Sequence, residues 1–81
     1  MKKYIDPSND RYQYQVRKTL NGFSVEVLVV PTGDIVGLTS QVAEQLEVTV
    51  PDGYRVQSST REEAEAVLDT VAQANGWTEM K

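Results

Sequence analysis

Asp6, Ser8 and Asp10 stand at i, i+2 and i+4, the spacing with which a calcium-binding loop presents its first oxygen ligands. A hard cation needs the whole loop, and the rest of it fails. The position that must be glycine for the sharp turn is Arg11, and the twelfth, where a bidentate Glu closes the site, is Arg17. The segment reads as a polar turn ahead of a strand. Ser58, Ser59 and Thr60 gather hydroxyls, but a hydroxyl becomes a nucleophile only beside a base. The chain has no histidine and no cysteine, so the commonest general base, the soft metal ligands and the strongest side-chain nucleophile are all missing. No G-x-S-x-G surrounds the serines, and no pair of acids is marked by a supporting motif. The expectation is a non-enzymatic protein with no catalytic residue, no cofactor and no metal site. Its 81 residues also leave little room to enclose a substrate.

Two other groups of residues suit binding rather than reaction. Tyr4, Tyr12 and Tyr14 interleave with Lys2, Lys3, Arg11 and Arg17, and aromatic rings among cations can stack bases and hold phosphates. Strand alternation places Tyr12 and Tyr14 on the face of Val16, which leaves only Tyr4 as a platform, so nucleic acid is not the expected partner. Glu62, Glu65 and Asp69 lie at i, i+3 and i+7, on one face of a helical segment and opposite its apolar stripe. Such a face suits docking on a basic protein surface, and these three are the expected partner contacts. A solvated face, with its first-turn acids matched to the helix dipole, is the plainer alternative.

The charge distribution bears on both. The net charge is −4, yet the first twenty residues carry five cations against two carboxylates. The remaining residues carry three cations against ten carboxylates. Attraction between two parts of one fold accounts for this asymmetry more simply than a basic contact arm. The longest aliphatic run, Val27 to Val30, is far too short to span a bilayer. Lys2 and Lys3 would open a secretory leader, but Asp6, Pro7, Ser8 and Asn9 occupy the place of its apolar stretch. A cytoplasmic protein without a membrane partner is the expectation, and the absence of cysteine agrees with it.

The elements that must position these residues are legible in pattern. Tyr12, Tyr14 and Val16 alternate with polar residues, Asn21-Gly22 follows, and Phe23, Val25, Val27 and Val29 alternate in turn. This predicts a hairpin with Asn21-Gly22 as its two-residue turn, pairing Val16 with Val27, Tyr14 with Val29, Arg17 with Glu26 and Leu20 with Phe23. Leu28 and Val30 fall on the otherwise polar face, which makes them the expected self-association patch. A capping box, Thr60 with Glu63, precedes Ala64, Val67, Leu68, Val71 and Ala72 at helical spacing, and Gly76 ends the run. The spacing predicts a helix over about 60–75, with Trp77 folding back on Ala72. Val48 and Val50, the Pro51-Asp52-Gly53 turn, and Tyr54 and Val56 predict a second hairpin. Between the hairpins, residues 31–46 fit a helical face or a broken strand, and a short helix over about 39–45 is preferred.

The fold expected is α+β: an antiparallel sheet of about four strands, built from two hairpins, with the C-terminal helix on one face and a short helix between the hairpins. Residues 1–10 are expected as an N-terminal arm and residues 11–81 as a single domain. The core should hold Tyr14, Val16, Val25, Val27, Val29, Val48, Val50, Val56, Val67, Leu68, Val71 and Trp77. The function expected is protein binding, in the manner of a small modulator or inhibitor of the phage or mobile-element type that occupies a surface of its partner. A homodimer joined through Leu28 and Val30, or through an unpaired sheet edge, is the alternative.

Overall fold

β-branched and aromatic residues in strict alternation put one apolar face on a pleated strand, and that face must be covered. A computed structural model, which describes residues 2–81, shows how. The chain runs β1 (Lys3–Asp6), β2 (Asn9–Thr19), β3 (Gly22–Val29), β4 (Asp34–Gly37), α1 (Ser40–Gln45), β5 (Gln57–Ser58), α2 (Arg61–Asn75) and β6 (Thr78–Met80). The architecture is the expected α+β one, an antiparallel sheet with the C-terminal helix packed on it and a short helix between, although the sheet has six strands instead of four. Its order is β4-β3-β2-β1-β6, with β5 paired to β3 alongside β4.

Tyr14, Val16, Val25 and Val27 form the covered face of the sheet, and Ala64, Leu68, Val71 and Ala72 of α2 lie on it. Full burial of each such aliphatic side chain contributes about 1.5–3 kcal/mol relative to exposure. Helix α2 follows its local signals. The Thr60 hydroxyl accepts from the Glu63 amide at 3.1 Å, and Gly76 closes the helix with φ of 69°. The Trp77 amide then donates to the Ala72 carbonyl at 2.9 Å, which turns the indole onto the Tyr14 ring at a centroid distance of 3.6 Å.

Several expectations are corrected. The central hairpin pairs Tyr14 with Val27 and Val16 with Val25, two residues away from the expected register, and its turn is Leu20-Asn21. Leu20 is fully exposed instead of facing Phe23. Gly22 belongs to β3 at φ 132°, and a Cβ there would collide with the Ser58 carbonyl of β5, so the position requires glycine. A shift of two leaves every side chain on its expected face, so Tyr14, Val16, Val25 and Val27 are buried as read.

The second hairpin does not form. Its turn does, with the Tyr54 amide donating to the Pro51 carbonyl at 3.1 Å, but the main chain of Thr49 is held by the Asn75 carboxamide through two 2.8 Å bonds. What reaches β3 is the end of the segment: Gln57 and Ser58 pair with Ser24 and Phe23, and the Val56 carbonyl accepts from the Val25 amide at 2.9 Å. Val29, Val48, Val50, Val56 and Val67 are half-buried, whereas Leu38 and Ala43 complete the core. Residues 3–6, read as part of an arm, are an interior strand paired with both β2 and β6. Met1 lies outside the described residues.

Candidate functional site

The three expected partner contacts all lie on α2 but differ in exposure. Glu62 is exposed and Glu65 half-buried, but Asp69 is taken up within the fold. Lys2 Nζ lies 2.8 Å from Asp69 Oδ2, and the Tyr4 hydroxyl donates to Oδ1 at 2.6 Å. The bond to Asp69 pushes the Tyr4 phenol up to about 12 and also raises the Lys2 ammonium. Burial alone would raise the Asp69 carboxyl, yet hydrogen bonds from Lys2 and Tyr4 outweigh it and hold that carboxyl below its ordinary value. Tyr4, expected as a free platform for stacking, is instead a clasp between β1 and α2. The basic start of the chain and the acidic helix therefore meet each other.

At the other turn, Asp6 Oδ1 accepts from the amide and the hydroxyl of Ser8 at 2.9 and 2.7 Å. The side chain closes the β1–β2 connection as an Asx turn does. Among the described residues no three acidic side chains gather as a metal site would require, and no helix is long and apolar enough to cross a membrane.

The uncovered face of the sheet carries Lys3, Ile5, Gln13, Gln15, Arg17, Ser24, Glu26, Leu28 and Ile35 by register. Glu26 is nearly excluded from solvent here, at 6% exposure. Arg17 Nε approaches its Oε1 to 2.8 Å without hydrogen-bond alignment, so the contact is electrostatic. Arg17 does meet Glu26 as the sequence suggested, but diagonally, since its direct partner is Ser24. A groove of about 590 Å³ runs between the 51–59 segment and the flank of α2, past Tyr54, Ser58, Ala66 and Val67. The Tyr54 hydroxyl closes its inner wall by donating to the Leu38 carbonyl at 2.5 Å.

The feature that stands apart is the β3–β4 corner. After Val29 the chain turns through Pro31-Thr32-Gly33, with the Gly33 amide bonded to the Val29 carbonyl at 2.8 Å, and returns as β4. Leu38 is then buried and the Thr39 hydroxyl caps α1, so β4 is confined to four residues at the end of the sheet. Val30, Ile35 and Val36 are 44%, 41% and 46% exposed on this corner, and Leu28 is half-buried beside Ile35. Of the expected self-association pair, Val30 is thus the open member. The sequence hid β4 because Ile35, Leu38, Val42 and Leu46 are spaced as a helical face. The tight Pro31-Thr32-Gly33 turn between two β-branched runs was the signal that could have found it.

Compared with known protein families, with curated proteins and with solved structures, the chain matches none.

Proposed function

We propose that this chain is a protein-binding module of the modulator or inhibitor kind, and that it acts by presenting its β4 edge to another polypeptide. The observation that supports this reading is the cluster of exposed Val30, Ile35 and Val36 at an unpaired end of the sheet. Val30 and Ile35 lie on the uncovered face and Val36 on the other side of the strand, so the edge is apolar on both faces, and an unpaired strand is a ready template for main-chain pairing. A second reading keeps the acidic flank of α2 as the contact. It draws on Glu62 and Glu65, while Asp69 is committed to Lys2 and Tyr4.

The two readings part in one experiment. Tagged chain is exposed to host lysate supplemented with untagged chain, beside an Ile35→Lys/Val36→Lys variant and a Glu62→Lys/Glu65→Lys variant. A stoichiometric partner lost only with the first variant supports the edge. Loss only with the second moves the site to α2, and the absence of any partner for the parent chain overturns both.

A further inference from the structure

We propose that the β4 edge is occupied by a second copy of this chain, the two β4 strands pairing antiparallel about a two-fold axis at Val36. The proposal rests on the reading of this edge as the contact surface and names its partner.

The phase of the hydrogen bonds comes first. The Val25 amide donates to the Val56 carbonyl at 2.9 Å, and the Val25 carbonyl accepts from the Leu38 amide at 2.9 Å. Odd-numbered residues of β3 therefore direct their main chain toward β4. Val36, opposite Val27, points back toward β3. Antiparallel ladders alternate, so the amides and carbonyls of Ile35 and Gly37 are turned outward from the sheet.

An outward Ile35 and an outward Gly37 are self-complementary. With Val36 on the axis, Ile35 of each copy lies opposite Gly37 of the other, and both pairs exchange two hydrogen bonds. A slip of two residues one way sets Ile35 against itself and Gly37 against Gly33, which the preceding turn holds at φ 76°. The opposite slip sets Ile35 against Thr39, whose side chain caps α1. Only the register centred on Val36 forms two complete pairs.

Side chains and charge agree with this register. Ile35 meets a glycine, so its branched side chain has space on the uncovered face. Val36 meets its own copy in a non-hydrogen-bonded pair, where side chains approach most closely. Asp34 is the one charged residue of β4 and falls opposite Leu38, so no like charges face each other. β4 also lacks the lysine, proline or bulge that commonly guards an edge, whereas β6 at the far end carries Glu79 and is followed by Lys81.

The cysteine-free sequence makes the test direct. The Cα atoms of a non-hydrogen-bonded pair lie about 4.5 Å apart, which is within the span of a disulfide. Val36→Cys is expected to give a disulfide-linked dimer under mild oxidation, much faster than Leu20→Cys, although Leu20 on the hairpin turn is the more exposed of the two. Sedimentation of the parent chain is expected to give twice its 9.1 kDa mass. Val36→Lys is expected to give the monomer mass with the native Trp77 fluorescence retained. A parent chain that is monomeric at millimolar concentration, with Val36→Cys no faster to cross-link than Leu20→Cys, overturns self-pairing. In that case a different protein lost with the edge variant would still uphold the broader reading, so the two failures are distinguishable.

Discussion

Asp69 is approached from two sides by donors that lie 67 and 65 residues away in sequence, Lys2 and Tyr4. A carboxylate in that position titrates below its ordinary value of 3.8, and the shift is a statement about stability. Its folded form is depressed, so its contribution is complete above the ordinary value and is lost as pH falls through the lower folded value. The pair is about one-third exposed on each side, which keeps the effect modest. Asp69→Asn is therefore expected to lower the urea midpoint slightly at neutral pH, with the gap to the parent chain closing below about pH 4. Tyr4→Phe removes one of the two donors and should produce part of the same change. A gap that stays constant from pH 7 to strong acid would show that the ionised carboxylate is not what the clasp uses.

The elements differ in how far local sequence determined them. Helix α2 was legible from end to end because its cap, its apolar stripe and its terminating glycine all act within a turn or two. The faces of the hairpin were legible for the same reason, but its register was not: the carbonyl of Ser58 sits where a side chain of residue 22 would be. The would-be second hairpin lost Thr49 to Asn75, 26 residues away, and β1 and β6 are too short to show a period. Of the candidate site, Val30 could be read from its wrong-face position, while Ile35 and Val36 needed the turn before them.

Helix α1 supplies a prediction at this scale. It ends as α2 does, with the amide of Val48 bonded to the Ala43 carbonyl at 2.8 Å, but the residue in the left-handed position is Glu47, with φ of 59°. A side chain there costs about 1–2 kcal/mol, partly offset by the greater unfolded freedom of glycine. Glu47→Gly should raise stability by about 0.5–1 kcal/mol, and Gly76→Ala should lower it by a similar amount, both read from denaturant midpoints. Equal signs for the two changes would refute the account of these helix ends.

At the scale of the molecule, the two ends of the chain close the fold together. β1 lies between β2 and β6, so the first described strand is secured by the last, and β6 is delivered to its place by Trp77. The indole is 8% exposed and stacks within 10° of parallel on Tyr14, which is itself 1% exposed in the middle of the sheet. One side chain thus joins the end of α2, the centre of β2 and the start of the closing strand. Trp77→Ala is expected to cost about 3–5 kcal/mol, a large part of the roughly 5–15 kcal/mol that stabilises a typical domain. At about 4–8 °C per kcal/mol for a domain of this size, its melting temperature should fall by at least about 12 °C. Trp77→Phe keeps a ring on Tyr14 and should fall less, and Leu20→Ala, at a fully exposed position, should stay within about 0.5 kcal/mol of the parent chain. Because β6 pairs, among the described residues, with β1 alone, amides of Lys3 and Ile5 should exchange faster in Trp77→Ala than those of Val25 and Val27. If Trp77→Ala melts with Leu20→Ala, the ring merely rests on the sheet, and closure of the fold belongs to the strand pairing alone.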